Sequence, residues 1–242
     1  MKNVCIINRG DRDDASEIEE RLRRSLRDVG IGVVGPDDDF DLVVAIGGDG
    51  TVLLAASFAL AAGVPVCGFN VGRVGYLAEF TPNDLPEFVE ALTRASYSLA
   101  EHSVVEVSTR SATAVAVNDV VVEKVISQRI IEVAVEVNGR PLASYRTDGI
   151  IVASPLGSTA YSLSAGGPVV DPSVDALIVT PVAPHSLLTR PVVLAPDAVV
   201  QLTVAVDRPA RVNVDGRELC IVEPGQPIVI RKGDTNVVFL TL

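Results

Sequence analysis

The chain opens on a short apolar run, Asn3 to Asn8, and then sets Ile18, Leu22, Leu26 and Val29 at helical spacing among the charges of Glu17 to Val29. That order predicts a strand followed by an amphipathic helix. A second apolar run, Leu42 to Ile46, leads through Gly47-Gly48-Asp49-Gly50-Thr51 into an apolar helix from Val52, and Val64 to Phe69 supplies a third strand. Strands alternating with helices predict a parallel sheet covered on both faces. From about Leu99 the period changes to short β-rich runs: Val104 to Thr109, Ala114 to Glu123, Ile130 to Val137, Ile150 to Ala153, Ala176 to Pro181, Val199 to Val206, Arg211 to Val214 and Ile228 to Ile230. The pairs Asn138-Gly139 and Asp215-Gly216 between such runs are hairpin turns. The expected fold is an α/β N-terminal domain with a parallel sheet and a GGDG loop, residues 1–98, followed by a mostly antiparallel, β-rich C-terminal domain, residues 99–232.

Composition narrows the function. At 48% hydrophobic and 21% charged, the 242 residues hold enough apolar surface for a sizeable core, which excludes wholesale disorder. Lys plus Arg total 20 against 31 for Asp plus Glu, a net charge of -11 that repels a nucleic-acid backbone over most of the surface. No nucleic-acid partner is expected. Cys5, Cys67 and Cys220 are widely spaced within apolar runs, which fits buried cytosolic thiols better than a disulfide framework or a metal cluster. Val4 to Ile7 is too short for the apolar region of a secretory signal. The longest apolar run, Val52 to Val66, is interrupted by Ser57, Gly63 and Pro65 and falls short of the ~20 residues of a spanning helix. A cytoplasmic location without membrane attachment is expected. Lys2, Lys124 and Lys232 are the only lysines; with acidic stretches such as Asp37 to Asp39 this suits a high-salt cytoplasm, although GC-rich coding produces the same Arg bias.

Two segments carry chemistry. Gly47-Gly48-Asp49-Gly50-Thr51, between a buried strand and a helix, brings backbone N–H groups and the positive end of the helix to the carboxyl edge of the sheet, a place that holds phosphate. Asp49 adds a carboxylate there that would repel an anion unless it works as a base or through a metal, so the pair of features suggests phosphoryl transfer. The bland alternative is a Gly-rich turn with Asp49 as a helix cap. Tyr145 to Pro172 is the second segment, a strand leading into a loop crowded with hydroxyls and amides that can bond a base and a ribose, with Tyr161 as an aromatic face.

These motifs, together with Asn70 to Leu77 (NVGRVGYL), Asn118-Asp119, Pro184-His185-Ser186-Leu187, Arg190-Pro191 and Asp215-Gly216, closely resemble the NAD kinase family nearly end to end. GGDG alone is shared with lipid kinases and resembles an element of 6-phosphofructokinases, whereas GSTAYSLSAGGP is specific to NAD kinases. The resemblance implies phosphoryl transfer from ATP or inorganic polyphosphate, with Mg²⁺ or another divalent cation, to the 2′-hydroxyl of the adenosine ribose of NAD. It implies a site in the cleft between the domains, with Asp49 taking the proton of that hydroxyl. Gly47, Gly48, Gly50, Thr51 and, in the loop after the third strand, Arg73 would meet phosphates, and Asp49 with Gly50 would also touch NAD. Asn118 and Asp119 would bind sugar hydroxyls; Arg146 and Asp148 would contact the dinucleotide; and Thr159, Ala160, Tyr161, Ser162, Leu163 and Ser164 would hold the adenine, largely through backbone groups, while Arg217 adds a cation for a phosphate of the dinucleotide.

The resemblance further implies that the β-rich domain binds the dinucleotide and mediates a homodimer or homotetramer, and that residues 233–242 form a tail returning to the first domain. The sequence departs from the family at three places: Asp119 where many members have Glu, Leu156 in place of a small hydroxyl residue, and Arg217 where Gln is common. His102 and His185, the only histidines, are too far apart to suggest a metal site, and His185 reads as part of a structural turn. Two other functions share part of the pattern. A non-catalytic NAD(P) sensor would keep the dinucleotide loop, but the intact GGDGT argues for turnover; a lipid kinase would keep only GGDG.

The net charge generates a prediction about salt. Like charges on the surface disfavour the compact state at low ionic strength, and the screening length shrinks from ~10 Å at 0.1 M to ~3 Å at 1 M salt. The melting temperature rises with KCl over this range, and activity peaks at intermediate or high salt. A flat or falling melting temperature, with fastest turnover in dilute buffer, contradicts the halophilic reading.

Overall fold

The computed structural model describes the chain apart from residues 11–12, 72–74, 128, 187–188 and 206–207. It divides into two compact units, Met1–His102 with Asn236–Leu242, and Ser103–Thr235.

In the first unit the elements are β1 (Asn3–Asn8), α1 (Asp13–Asp28), β2 (Gly32–Val34), β3 (Leu42–Gly47), α2 (Asp49–Ala62), β4 (Val66–Asn70) and α3 (Leu85–Arg94). The strands pair in parallel in the order β2-β1-β3-β4, and the last strand of the chain, β16 (Pro227–Thr241), joins at Phe239 opposite Val66. Alternate residues of the sheet, among them Val4, Leu42, Val44, Ile46 and Phe69, pack with Ile18, Leu22 and Leu26 of α1 and Leu85, Phe88 and Leu92 of α3. Helix α2 packs on the opposite face, where a Cβ at Gly68 would stand 2.7 Å from Val52 Cγ2; only glycine admits that approach. Covered on both sides, β3 is buried at every position.

The α2 helix starts at Asp49 rather than Val52, because Gly48 is an extended N-cap whose carbonyl accepts the N–H groups of Thr51 (2.8 Å) and Val52 (3.2 Å). The GGDGT motif is therefore half inside the helix. Helix α1 likewise begins earlier than Glu17, at Asp13.

The second unit holds the rest of β5 (Ser98–Ser108), then β6 (Thr113–Ala116), β7 (Asp119–Lys124), β8 (Ile131–Val137), β9 (Arg140–Thr147) and β10 (Gly149–Ala153). A 3₁₀ turn at Leu156–Thr159 and the short α4 (Tyr161–Ser164) precede β11 (Leu177–Val182), β12 (Val192–Leu194), β13 (Val200–Val204), β14 (Ala210–Val214), β15 (Arg217–Val222) and the first part of β16. One antiparallel sheet runs β12-β11-β10-β7-β14-β15; a second antiparallel set runs β16-β13-β8-β9, with β5 on β16 and β6 on β5. They share a Val- and Ile-rich core that includes Val120, Val122, Ile150, Val152, Val133, Val135 and Leu202. On the other face of the first sheet, Val121, Ile151, Ala153 and Ile178 pack under Ala165 and Val170, so the loop after β10 folds back over its own strand. Asn138-Gly139 and Asp215-Gly216 both have positive φ at each residue and close the β8–β9 and β14–β15 hairpins.

The apolar run Ala114 to Glu123 is two strands, not one: Val117 and Asn118 separate β6 from β7. Cys5 and Cys67 are buried, whereas Cys220 is only half-buried.

In the first unit the rings of Phe69, Phe80 and Phe88 meet at centroid distances of 5.1 to 5.4 Å, and Phe88 is fully buried. Phe88→Ala lowers the unfolding free energy by ~3–5 kcal/mol in a denaturant titration, through lost contacts and the cavity left behind. Leu99→Ala, at an exposed position, changes it by less than about 0.5 kcal/mol.

Candidate functional site

In the first unit the strand order places β1 and β3 side by side while their connections depart in opposite directions, to β2 and to β4. That is a topological switch point, and the crevice beyond the carboxyl ends of two such strands is where open α/β sheets bind ligands. The GGDG motif leaves β3 at this edge. Glycine at 47 is enforced by contact, since a Cβ there would stand 2.5 Å from Thr51 Oγ1, while among the described residues nothing lies within 4 Å of a Cβ at Gly48. A Cβ at Gly50 would meet Arg9 Nη1 at 3.5 Å. Arg9 follows β1 at the same edge and was not singled out from the sequence; its signal was its place just after a parallel strand.

Asp49 is held rather than loose. Its carboxylate oxygens accept the N–H groups of Tyr76 (3.1 Å) and Leu77 (3.0 Å), and a Cβ at Gly75 would fall 2.1 Å from Asp49 Oδ1. The NVGRVGYL segment, remote in sequence, thus orients the carboxylate through glycine and backbone amides. Arg73, within that segment, lies outside the described residues.

In the second unit, Asn118 and Asp119 lie at the junction of β6 and β7, both buried. Ser154, at the end of β10, donates its N–H to Asn118 O (2.9 Å), and a Cβ at Gly157 would stand 2.1 Å from the same oxygen, so the GSTAY loop presses on this segment. Asn118 Oδ1 is buried with no hydrogen-bond partner among the described residues. A buried acceptor without a donor is costly, and a ligand hydroxyl would supply one. Burial, with the nearby charge of Asp215 added, pushes the Asp119 carboxyl up to about 7.

The loop hydroxyls divide into two groups. Ser158 Oγ donates to Val170 O (3.1 Å) and accepts the Val170 N–H (3.0 Å), while Ser162 Oγ shares a hydrogen bond with Thr180 Oγ1 (2.9 Å) against Gly167. Both are fully buried. Their side chains fix the loop, which leaves Ser162 only backbone groups to offer a ligand. Tyr161, Leu163 and Ser164 are exposed, and Thr159 and Ala160, just before them, are half-buried.

Tyr161 borders a cavity of about 310 Å³ with Glu123, Lys124, Ser127 and Asp148, where Lys124 Nζ pairs with Asp148 Oδ1 at 2.5 Å. Burial and then the carboxylates of Glu123, Asp148 and Asp119 raise the Tyr161 phenol above its ordinary value, keeping it a hydrogen-bond donor. Arg146 is not brought to that cavity. It lines another, of about 210 Å³, with Glu132 and Arg208. Arg217 is exposed at the start of β15. No cluster of three His, Cys, Asp or Glu side chains suited to a metal occurs among the described residues.

Comparison with known proteins identifies the family. The family models for the ATP-NAD kinase N-terminal and C-terminal domains match residues 34–97 and 117–242. NAD kinase 2 of Streptomyces avermitilis is 41% identical over 206 residues, covering 83% of this chain and 68% of that protein. The NAD kinase of Thermobifida fusca is 40% identical over 237 residues, covering 92% and 73%. Among solved structures, an NAD kinase from Archaeoglobus fulgidus in complex with ATP superposes with a TM-score of 0.81 at 27% identity, covering 99% of this chain and 93% of that one. With one family spanning both units and both motifs, the chain belongs to the ATP-NAD kinase family.

Proposed function

We propose that the protein transfers the γ-phosphoryl group of ATP to the 2′-hydroxyl of the adenosine ribose of NAD, releasing NADP and ADP. The observation that carries this reading is Asp49: a carboxylate set among glycines at a switch point, held by the Tyr76 and Leu77 amides in the first turn of α2. A carboxylate beside phosphates repels them unless it takes a proton or works through a cation. Asp49 accepts the hydrogen bond of the 2′-hydroxyl and removes its proton as the phosphoryl group arrives, while Gly48, Gly50 and Thr51 give the donor phosphates a close approach to the N-terminus of α2.

Phosphoryl transfer of this kind requires alignment and charge neutralisation more than covalent chemistry. The donor set fits a divalent cation carried in on ATP, since Mg²⁺ usually keeps its waters and binds phosphate oxygens plus one or two carboxylates. Asp49 would supply such a carboxylate, and the cation would offset charge on the phosphates. Arg9 adds a guanidinium on the same edge. Inorganic polyphosphate presents the same phosphoanhydride terminus and is the second donor to test.

Asn118 and Asp119 receive sugar hydroxyls, the orphaned Asn118 Oδ1 as one acceptor. Tyr161 packs on the base from the rim of its cavity, with Asp148 and Lys124 beside it. We place the protein in the cytoplasm as a homodimer or homotetramer, on its resemblance to the family; among the described residues no helix is long and apolar enough to cross a membrane.

Asp49→Asn keeps size and reach but loses the base: NADP formation falls by about a hundredfold or more, with NAD affinity within several-fold of wild type. Near-normal turnover removes Asp49 from this role. Asn118→Ala weakens NAD binding by about 0.5–1.5 kcal/mol in isothermal titration, and Tyr161→Ala weakens it through lost packing; wild-type protein that binds no NAD but phosphorylates a lipid alcohol defeats the dinucleotide reading. Because ionised Asp119 is the better acceptor and its carboxyl titrates at about 7, NAD affinity rises with pH across that value, and Asp119→Asn flattens the rise.

A further inference from the structure

The break between β6 and β7 creates a problem of backbone satisfaction. Strand pairing stops at Ala116 and resumes at Asp119, so the polar groups of Val117, Asn118 and Asp119 need other partners in a buried place. One side chain meets most of that need. Asp215 Oδ2 accepts the N–H of Val117 at 2.7 Å, and Oδ1 accepts those of Asn118 at 2.8 Å and Asp119 at 3.2 Å. In return Asp215 donates its own N–H to Asp119 O at 3.0 Å.

Ser154 holds the opposite side. Its hydroxyl donates to Val117 O at 2.6 Å, its N–H donates to Asn118 O at 2.9 Å, and its hydroxyl oxygen accepts the N–H of Gly157 at 3.0 Å. Every backbone N–H and C=O from Val117 to Asp119 is thereby engaged by one of these two residues. The same Ser154 ties the segment to the GSTAY loop.

A hairpin turn does not need this carboxylate. Asp215-Gly216 occupies positive φ at both residues, a conformation that Asn-Gly adopts as readily. A carboxylate here is also expensive, because burial raises the Asp215 carboxyl against the pull of its three N–H bonds, and it stands near a second buried acid, Asp119. Such a cost at the tip of a β-hairpin is retained where a function depends on the geometry it fixes.

We propose that Asp215 and Ser154 are positioning residues of the dinucleotide site: they clamp the backbone of residues 117–119 from two sides and so fix the side chains of Asn118 and Asp119 for the sugar hydroxyls of NAD. This rests on the reading that Asn118 and Asp119 bind those hydroxyls. Neither clamp residue touches the phosphoryl donor in this account, so losing one affects the dinucleotide selectively.

The test is steady-state kinetics of the full-length protein and its Asp215→Asn and Ser154→Ala variants, with NAD and ATP varied in turn, beside thermal melts. An amide at 215 keeps one acceptor oxygen and turns its NH₂ toward backbone N–H groups, so Asp215→Asn raises the KM for NAD about tenfold or more, and Ser154→Ala raises it several-fold. The KM for ATP stays within about twofold of wild type in both. Unchanged KM for NAD in folded variants overturns the proposal, as does an equal loss for both substrates, which marks a merely structural role. Should Asp215→Asn show no cooperative melt, Ser154→Ala decides alone by the same criterion. Wild-type protein that fails to bind NAD in isothermal titration defeats the underlying assignment instead; wild-type binding with indifferent variants defeats only the clamp.

Discussion

A strand buried on both faces has to become a buried helix across a single residue, Gly48, between the end of β3 at Gly47 and the start of α2 at Asp49. Most of the first unit follows from that constraint. The turn leaves no room for a side chain at Gly47, and the first turn of α2 points unpaired N–H groups out of the sheet edge. Asp49 occupies this place because the Tyr76 and Leu77 amides hold its carboxylate, which in turn requires glycine at 75. One short connection thus fixes the glycine-rich edge and the Asp49 carboxylate, and ties both to Gly75, Tyr76 and Leu77, more than twenty residues away.

The electrostatics operate on two scales. The chain as a whole carries a net charge of -11, which opposes the approach of anionic substrates. Locally, the proposed function rests on short-range donors: the amides of the α2 terminus, Arg9, and Lys124 paired with Asp148. Salt screens the first effect more than the second, because exposed charges separated by more than a Debye length are screened first. Buried polar groups follow a stricter rule. Among the described residues, Ser158, Ser162 and Thr180 are paired, whereas Asn118 Oδ1 has no protein partner.

Much of this was legible in the sequence, and the parts that were not have physical reasons. The period-two and period-3.6 patterns located β1 at its observed bounds, and Asn138-Gly139 and Asp215-Gly216 marked real hairpins, since φ > 0 restricts which residues fit. Helix α3 went unread although Leu85, Phe88, Val89 and Leu92 have helical spacing. The long β16 was read as Ile228 to Ile230, because Arg231 to Asn236 are polar and its strand character there comes from partners. Among site features, the GGDG edge was visible as a motif, but the inward turn of Ser158 and Ser162 was not, because a hydroxyl in a loop looks the same whether it serves a ligand or Thr180. The three amides on the Asp215 carboxylate join positions nearly a hundred residues apart, and no local pattern encodes them.

The central claim is that a group transfer from ATP to a dinucleotide hydroxyl occurs at the GGDG edge, and following the phosphoryl group itself tests it most directly. Incubation of the protein with NAD and ATP labelled at the γ-phosphate in the presence of Mg²⁺, followed by separation of the products, gives the answer in one measurement. The account predicts label on the 2′-phosphate of NADP, with one ADP formed for each NADP. Label confined to inorganic phosphate, or ADP released without NADP, contradicts it.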